Sequence, residues 1–172
     1  MARSFDLRTA EIGDADDLAE TVRQGFDGYR AWAPVGWTPP PPQLEAARIR
    51  EGLERQSTWC VLATDAGEVA GHVAFNQARE REEPRADIPR LAHLWMLFVR
   101  EPWWGSGLAT LLNGIALAEA GLQGYDEIRL HTPFEHVRAR AFYEREGWRS
   151  VGTRIPEPML GIDLVEYRHA LP

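Results

Sequence analysis

The sequence predicts an α/β protein built on one mixed, mostly antiparallel sheet of about seven strands, with helices on both faces. Short segments with strand-like patterns recur along the chain, and segments with helical spacing lie between only some of them. A central segment, residues 91–120, combines a buried strand, a glycine turn and a helix. Such a unit forms the crossover between two parallel strands, so the sheet must be mixed.

The first quarter of the chain predicts one strand, two helices and an irregular segment between the helices. Residues 5–9 alternate apolar and polar side chains, as in a half-buried strand. Asp14 is a suitable N-cap for the helix that follows. A second helix is predicted over residues 43–56, where Gly52 is unfavourable. Between the helices, residues 29–42 contain too many prolines for regular helix.

The next segments predict an antiparallel meander. Residues 58–64 and 68–76 are strand-like, and Asp65-Ala66-Gly67 between them is a hairpin turn signal. Residues 77–90 are highly charged and predict a loop. This loop is either an ordinary solvated connection or a mobile flap beside an active site. The buried strand 91–99 then completes the meander.

The second half of the chain continues from the glycine turn. The helix from Leu108 has apolar residues at 108, 111, 112 and 115, with Leu122 on the same side. A strand over residues 124–132 and a helix over residues 135–146 follow, and Gly147 is a typical C-terminal helix glycine. Residues 148–155 and 162–171 predict the last two strands. No repeat or linker interrupts the chain, so residues 1–172 form one domain.

Composition excludes several classes of protein. We expect neither a signal peptide nor a transmembrane segment, and therefore a soluble, cytoplasmic protein with no membrane partner. The single cysteine, Cys60, lies in an apolar run and predicts a small buried side chain rather than a disulfide or zinc ligand. Every basic residue is arginine, which excludes a P-loop and a catalytic lysine. The net charge of −7 argues against nucleic acid as a partner.

The glycine turn Gly105-Ser106-Gly107 points free backbone N–H groups and a helix N-terminus at one spot, which suits an anionic phosphate group. It lacks the third small residue of a dinucleotide-binding fingerprint, and the next strand carries no acidic residue for a ribose. Taken alone, the turn is equally consistent with a tight connection between a strand and a helix.

A second segment, His136 to Trp148, changes this interpretation. Together with Val99 and the glycine turn, it resembles the GCN5-related N-acetyltransferase (GNAT) superfamily, in which Arg/Gln-x-x-Gly-x-Gly/Ala precedes Asn-x-x-Ala-x-x-Phe-Tyr-x-x-x-Gly-Phe by about 30 residues. The first motif is matched at Gly107 and Ala109. The matches to the second motif are Ala139, Phe142, Tyr143, Gly147 and Trp148. The resemblance implies a GNAT-like (acyl-CoA N-acyltransferase) fold along nearly the whole chain.

The resemblance also implies that acetyl-CoA binds as co-substrate, without a metal. Backbone N–H groups would hold its pyrophosphate, contributed by Gly105, Ser106, Gly107, Leu108 and Ala109. The fourth and fifth strands of the family separate at a bulge in strand four. The pantetheine arm would pair there with the backbone near Leu97, Phe98 and Val99, and one N–H would polarise the thioester carbonyl.

The chain departs from the family pattern at two of its coenzyme contacts. Trp104 stands where the family has Arg or Gln before the glycine turn, so packing or stacking would replace a side-chain contact to phosphate. His136 stands where the family has Asn at the start of the late helix.

Two residues are candidates for proton transfer. Tyr143 matches the general acid of the family, and its ordinary pKa of roughly 10 is close enough to that of a thiol, roughly 8.5, to protonate the departing thiolate. Helical spacing alone would make it a core aromatic. His93 is the one titratable side chain in the middle of strand four and is a candidate general base. It is equally consistent with a hydrogen-bonded core histidine.

We therefore expect an N-acetyltransferase that moves the acetyl group to a primary amine by direct attack in a ternary complex. Tyr29, Trp32 and Trp37 predict either an acceptor-pocket wall or packing at the edge of the core. The acceptor is a small-molecule or peptide amine, and a homodimer is left open. The alternatives are a non-catalytic acyl-CoA-binding or sensing domain and a transferase of a longer acyl group. Three strand histidines, His72, His93 and His131, have no metal-binding spacing.

Overall fold

The structure, a computed structural model, describes residues 4–172. Its central feature is an eight-stranded sheet in the order β1-β2-β3-β4-β5-β8-β6, with β7 paired to β8. The strands are β1 (Asp6–Thr9), β2 (Trp59–Asp65), β3 (Glu68–Arg79), β4 (Asp87–Val99), β5 (Glu127–Pro133), β6 (Arg149–Ser150), β7 (Ile155–Glu157) and β8 (Ile162–Ala170). The helices are α1 (Ala15–Asp27), α2 (Pro42–Glu54), α3 (Leu108–Leu122) and α4 (Val137–Arg145).

The predicted mixed sheet is confirmed. Strands β2, β3 and β4 form the antiparallel meander, and β4 pairs in parallel with β5 after the crossover through α3. Ala66 and Gly67 both have positive φ in the tight β2–β3 turn, as the hairpin signal predicts.

Two hydrophobic clusters, one on each face, hold the helices to the sheet. Helices α1 and α2 cover one face, where Leu18 and Ile49 have no exposed surface. Helix α3 and Tyr143 of α4 belong to the cluster on the other face. The predicted α1 stripe is buried as expected: Ala15, Leu18, Ala19, Val22 and Phe26. Cys60 is also buried, and burial raises the pKa of its thiol to about 12.

The apolar stripe of α3 differs from the prediction. Leu108 and Leu112 are buried, but Leu111 is 40% and Leu122 is 83% exposed. The inward stripe continues through Ala116 and Ala120 instead. Small side chains at a spacing of four let the helix lie close to the sheet. Hydrophobicity alone does not show that these alanines, rather than the exposed leucines, form the buried face.

Half of the predicted charged loop over residues 77–90 is strand, so that prediction was wrong in extent. Strands β3 and β4 continue to the pair Arg79 and Asp87, whose side chains form an ion pair at 2.9 Å. The Gln77 amide donates to the carbonyls of Ile88 and Leu91. Pairing between strands satisfies the backbone whatever the charge of the outward side chains, so only residues 80–86 form the connection.

Two further predictions need correction at the edges of the sheet. The first strand is an exposed edge strand rather than a half-buried one, and Leu7 is 42% exposed. Residues 148–155 do not form one continuous strand. They contain the short β6 and the start of β7, which both pair with β8, and an irregular segment separates them.

Candidate active site

Strands β4 and β5 separate part-way along their length. They pair only from Leu91 to Leu94, opposite Glu127 to Leu130. Trp95 is an extra residue in β4, because Ala74 of β3 pairs with Met96 while Phe75 pairs with Leu94. This is a β-bulge, which bends a strand and increases its local twist. The gap between residues 95–99 of β4 and 131–133 of β5 is called the β4–β5 cleft below.

The backbone of β4 presents alternate residues to this cleft. The N–H of Arg100 donates to the Ala70 carbonyl of β3 at 2.9 Å. In an antiparallel pair the residues alternate between facing the partner strand and facing away from it. Counting back from Arg100, Phe98 faces β3, whereas Val99 and Leu97 face the β4–β5 cleft. Their edge groups have no neighbouring strand to pair with. Apart from the Val99 carbonyl, which accepts the Trp104 indole N–H, they are available to an extended ligand.

The glycine loop, Trp104–Ala109, lies at the open end of β4. Gly105 and Gly107 have φ of 75° and 87°, a backbone conformation that side chains rarely adopt. The Ser106 hydroxyl donates to the Trp103 carbonyl at 2.6 Å and braces the loop internally. Within residues 4–172, the N–H groups of Gly105, Gly107 and Ala109 have no hydrogen-bond partner. Together with the N-terminus of α3, they form a concentration of donors suited to an anion.

Trp104 connects the glycine loop to the edge of the cleft. Its indole N–H donates to the Val99 carbonyl at 2.7 Å, on the side of β4 that faces the cleft. The other side of the cleft contributes Arg138 of α4, whose guanidinium carbon lies 4.5 Å from the centre of the Trp104 ring. The departure from the family pattern at Trp104 therefore creates a contact across the cleft.

Tyr143 lies in α4 with its ring packed among aromatic side chains. The Trp148 and Tyr167 rings are centred 5.8 and 6.2 Å away. The side chain is 9% exposed, and burial raises the pKa of its hydroxyl above the ordinary value. Within the described chain this hydroxyl forms no hydrogen bond, so it remains protonated and free to donate to a ligand.

His136 joins the late helix to the aromatic loop, which is the segment carrying Tyr29, Trp32 and Trp37. Its Nδ1 accepts the Ala139 N–H at 3.0 Å and thereby caps α4. Burial lowers the pKa of the imidazole, in keeping with a neutral acceptor nitrogen. Its ring lies edge-on to the rings of Tyr29 and Trp32, at 5.3 and 5.2 Å.

The three predicted acceptor-wall aromatics form one cluster. The rings of Tyr29 and Trp32 are 4.6 Å apart, and those of Tyr29 and Trp37 are 5.8 Å apart. The Trp37 indole donates to the Leu160 carbonyl at 2.6 Å and fixes the loop against the segment before β8. Burial and the neighbouring Tyr143 raise the pKa of Tyr29.

An outer pocket of about 310 Å3 opens beside this cluster. Its walls include Trp32 from the aromatic loop and Glu135, Arg154 and Asp163 from the second half of the chain. The Arg154 side chain pairs with Glu135 at 3.0 Å and lies 3.6 Å from Asp163. Acidic side chains outnumber basic ones in this wall.

His93 lies at the closed end of the cleft, where β4 still pairs with β5. Its ring is centred 5.2 Å from that of His131, whose Nε2 is 3.0 Å from Glu166 of β8. Burial, His131 and Arg129 lower the pKa of His93 to about 3, so its imidazole is neutral. Its Nδ1 is buried without a partner among the described residues.

The structure brings most of the predicted residues to one region, with two exceptions. His93 and Tyr143 are not in contact with each other in the described chain. His72 lies apart from the cleft, fully buried on β3 beside Phe98. Sequence reasoning did not single out Arg138, nor Glu166 as a partner of His131. The register of α4 and β8 against their neighbours decides these contacts, and no local pattern reports it.

Comparison with known families identifies the chain. A model described as the acetyltransferase (GNAT) family matches residues 22–148, which include the bulged strand, the glycine loop and α4. The chain belongs to the GNAT acetyltransferase family. No curated protein sequence matches this GNAT chain. Within residues 4–172, none of its helices combines the length and the apolar content needed to cross a membrane.

Solved structures share the same fold. A GNAT-family acetyltransferase from Staphylococcus aureus Mu50 matches with a TM-score of 0.75 and 14% identity, covering 98% of this chain and 100% of the other. An acetyltransferase from Thermus thermophilus matches at 0.70 and 20% identity, covering 99% of each chain. The PaiA N-acetyltransferase of Thermoplasma acidophilum, in complex with coenzyme A, matches at 0.66 and 16% identity, covering 95% of this chain and 98% of the other. At these identities the likeness is one of fold.

Proposed function

We propose that this GNAT protein transfers the acetyl group of acetyl-CoA to a primary amine, by direct attack of the amine in a ternary complex. The observation that carries the proposal is the continuity of two features. The unpaired edge of β4, at Leu97 and Val99, leads directly into a glycine loop with unpartnered N–H groups. An extended arm ending in a pyrophosphate has the shape and the hydrogen-bonding groups to use both.

The described residues fit this co-substrate. The N–H groups of the glycine loop would hold the pyrophosphate, and the β4 edge would pair with the pantetheine amides. The Leu97 N–H faces the cleft beyond the bulge and is suited to polarise the thioester carbonyl. His136, whose Nδ1 is occupied by the α4 cap, would face the arm from the other side.

Tyr143 is proposed as the general acid. Its hydroxyl is protonated at neutral pH and has no competing hydrogen bond among residues 4–172. It would donate its proton to the thiolate sulfur as the bond between carbonyl carbon and sulfur breaks. No reactive cysteine is available for an acetyl-enzyme, since Cys60 is buried and its pKa is raised to about 12.

His93 is proposed as the group that takes a proton from the acceptor amine. An amine with a pKa of roughly 10 is mostly protonated at neutral pH and must lose a proton before it attacks. The neutral imidazole of His93 can accept a proton, and the His131–Glu166 pair behind it gives that side of the cleft a polar lining. Its low pKa makes it a weak base.

The aromatic loop and the outer pocket are proposed to bind the acceptor. Tyr29, Trp32 and Trp37 form one aromatic cluster, and aromatic rings attract cations. The outer pocket is lined by three acidic side chains, Glu135, Glu157 and Asp163, and by one basic side chain, Arg154. These groups favour a small-molecule or peptide amine that is cationic in solution.

The deciding experiment has two stages. Thermal unfolding with and without acetyl-CoA tests binding, and release of free CoA on addition of a panel of amines tests transfer. We expect stabilisation by acetyl-CoA and amine-dependent CoA release. If acetyl-CoA binds but no amine releases CoA, a sensing domain is favoured. If a longer acyl-CoA reacts faster than acetyl-CoA, a longer acyl group is the substrate. If no acyl-CoA binds, the proposal fails.

A further inference from the structure

Arg138 occupies an unusual place for a cation. It is the second residue of α4, and its side chain reaches across the open end of the β4–β5 cleft to the Trp104 ring. Positive charge near a helix N-terminus is disfavoured by the helix dipole. Helix stability therefore does not explain why an arginine lies here.

The charge of Arg138 is uncompensated in the described part of the chain. Its guanidinium forms no hydrogen bond and no ion pair with any of residues 4–172, although its face rests on Trp104. Arg145, later in the same helix, also stacks on an aromatic ring, Phe142, but lies 3.6 Å from the Glu146 carboxylate. Arg138 thus resembles Arg145 in its packing and differs from it in lacking an acidic partner.

The stacked arrangement leaves the binding edge of Arg138 free. A guanidinium stacked on a ring uses its face, and its N–H donors remain in the plane, where they can form two parallel bonds to a phosphate. Trp104 is itself held, because its indole N–H donates to the Val99 carbonyl. The ring therefore provides a fixed platform for the arginine immediately before Gly105 of the glycine loop.

We propose that Arg138 is a phosphate ligand for the coenzyme, oriented by Trp104 and directed at the pyrophosphate. This inference rests on the proposed function, because it assumes that acetyl-CoA occupies the β4–β5 cleft. Trp104 replaces the Arg or Gln of the family pattern, and a cation supplied from α4 restores a side-chain contact to phosphate at the same loop. Since Arg138 follows β5 and Trp104 follows β4, the contact also joins the two sides of the cleft over the bound arm.

The test compares R138Q with R145Q, a matched change on the same helix. Dissociation constants are measured by calorimetry for acetyl-CoA, 3′-dephospho-acetyl-CoA and S-acetylpantetheine, which has no pyrophosphate. A charged hydrogen bond to phosphate corresponds to roughly a tenfold change in affinity. We expect R138Q to bind both nucleotide thioesters about tenfold more weakly. S-acetylpantetheine should bind equally to wild type and R138Q, and R145Q should match wild type throughout.

A second variant tests the platform. W104L removes the ring beneath Arg138. In the double variant, the losses of acetyl-CoA affinity caused by W104L and R138Q should not add, because both substitutions disrupt the same contact. Thermal unfolding of each variant without ligand reports whether the fold is kept. The affinity difference between wild type and R138Q should become smaller at two higher salt concentrations, because screening weakens the interaction between exposed charges.

Three outcomes would overturn the inference. One is an equal affinity of R138Q and R145Q for acetyl-CoA. Another is a loss in R138Q that disappears with 3′-dephospho-acetyl-CoA, which would assign Arg138 to the 3′-phosphate instead. The last is additive losses in W104L and R138Q. Absence of binding in the wild type is a different result, since it rejects the proposed function itself.

Discussion

Gly52 of α2 lies directly against the indole of Trp95, the bulged residue of β4, and a Cβ built on Gly52 would overlap that ring. Arg48 also contacts the ring, with its guanidinium carbon 4.9 Å from the ring centre. The glycine that weakens α2 as an isolated helix is therefore the residue that lets α2 approach the bulge. The position of Trp95, and with it the start of the β4–β5 cleft, depends on this contact.

Replacing Gly52 with alanine should destabilise the protein by about 1–3 kcal/mol, the usual cost of overpacking a filled site. Helix propensity alone predicts the opposite sign, a gain of about 1 kcal/mol. Gly114→Ala in α3 is the matched control, because a Cβ at Gly114 meets nothing within 4 Å. It should stabilise the fold. Urea unfolding of both variants measures these differences, and a Gly52→Ala variant as stable as Gly114→Ala would show that Trp95 moves freely.

Tyr143→Phe should lower kcat by about a hundredfold, within the range for loss of a general acid. The free energy of unfolding should stay within about 0.5 kcal/mol of wild type, because the hydroxyl has no hydrogen bond to lose in the described chain. Tyr125→Phe is the control, since Tyr125 is a half-buried tyrosine that packs on Phe75 away from α4. Turnover with a confirmed amine at pH 7 to 9 is the measurement. Unchanged turnover in Tyr143→Phe would exclude the acid role.

His93→Ala should lower kcat by about a hundredfold if the imidazole receives the amine proton. Because the pKa of His93 is held at about 3, the histidine is neutral at every pH from 6 to 9. The loss should therefore be uniform across that range rather than confined to its acidic end. His169→Ala removes a histidine whose Nδ1 contacts the Ala170 carbonyl and serves as the control. A kcat for His93→Ala close to that of the control would exclude His93 as the base and leave it a packing role only.

His72 should make the fold sensitive to acid. Both ring nitrogens are buried without partners among residues 4–172, and burial lowers its pKa to about 3 from an ordinary value near 6.5. Below pH 6.5 the unfolded chain binds a proton that the folded chain does not. Stability should therefore fall as the pH decreases from 6.5 towards 3, by up to about 1.4 kcal/mol per pH unit for each such histidine. His93 contributes in the same direction.

The variant His72→Leu separates the two contributions. It should be more stable than wild type at pH 7.5, since it removes buried polar atoms that lack partners. It should also lose less stability between pH 6.5 and 5, because only His93 then remains of this pair. Urea unfolding at several pH values measures both effects. Parallel pH dependence in variant and wild type would mean that His72 gains a proton as readily in the folded state.

The sequence by itself determined the family and, apart from the division of residues 148–155 between two short strands, the order of the elements. Alternating and helical patterns, the glycine turn and the motif from His136 to Trp148 are local, and each follows from the residues within one element. The same local reasoning placed Tyr143 and the glycine loop on the elements where the structure has them. It failed for Gln77 and Arg79, because pairing with a distant strand segment overrides the local preference of charged residues for loops.

Only the tertiary structure decided which of these elements meet. Three sets of contacts join residues far apart in the chain: the Arg138–Trp104 stack, the His93–His131–Glu166 series and the packing of Trp95 against Gly52. Such contacts depend on strand register, on the depth of a bulge and on how closely a helix packs. These quantities are set by the simultaneous filling of both faces of the sheet, so no segment of sequence specifies them alone.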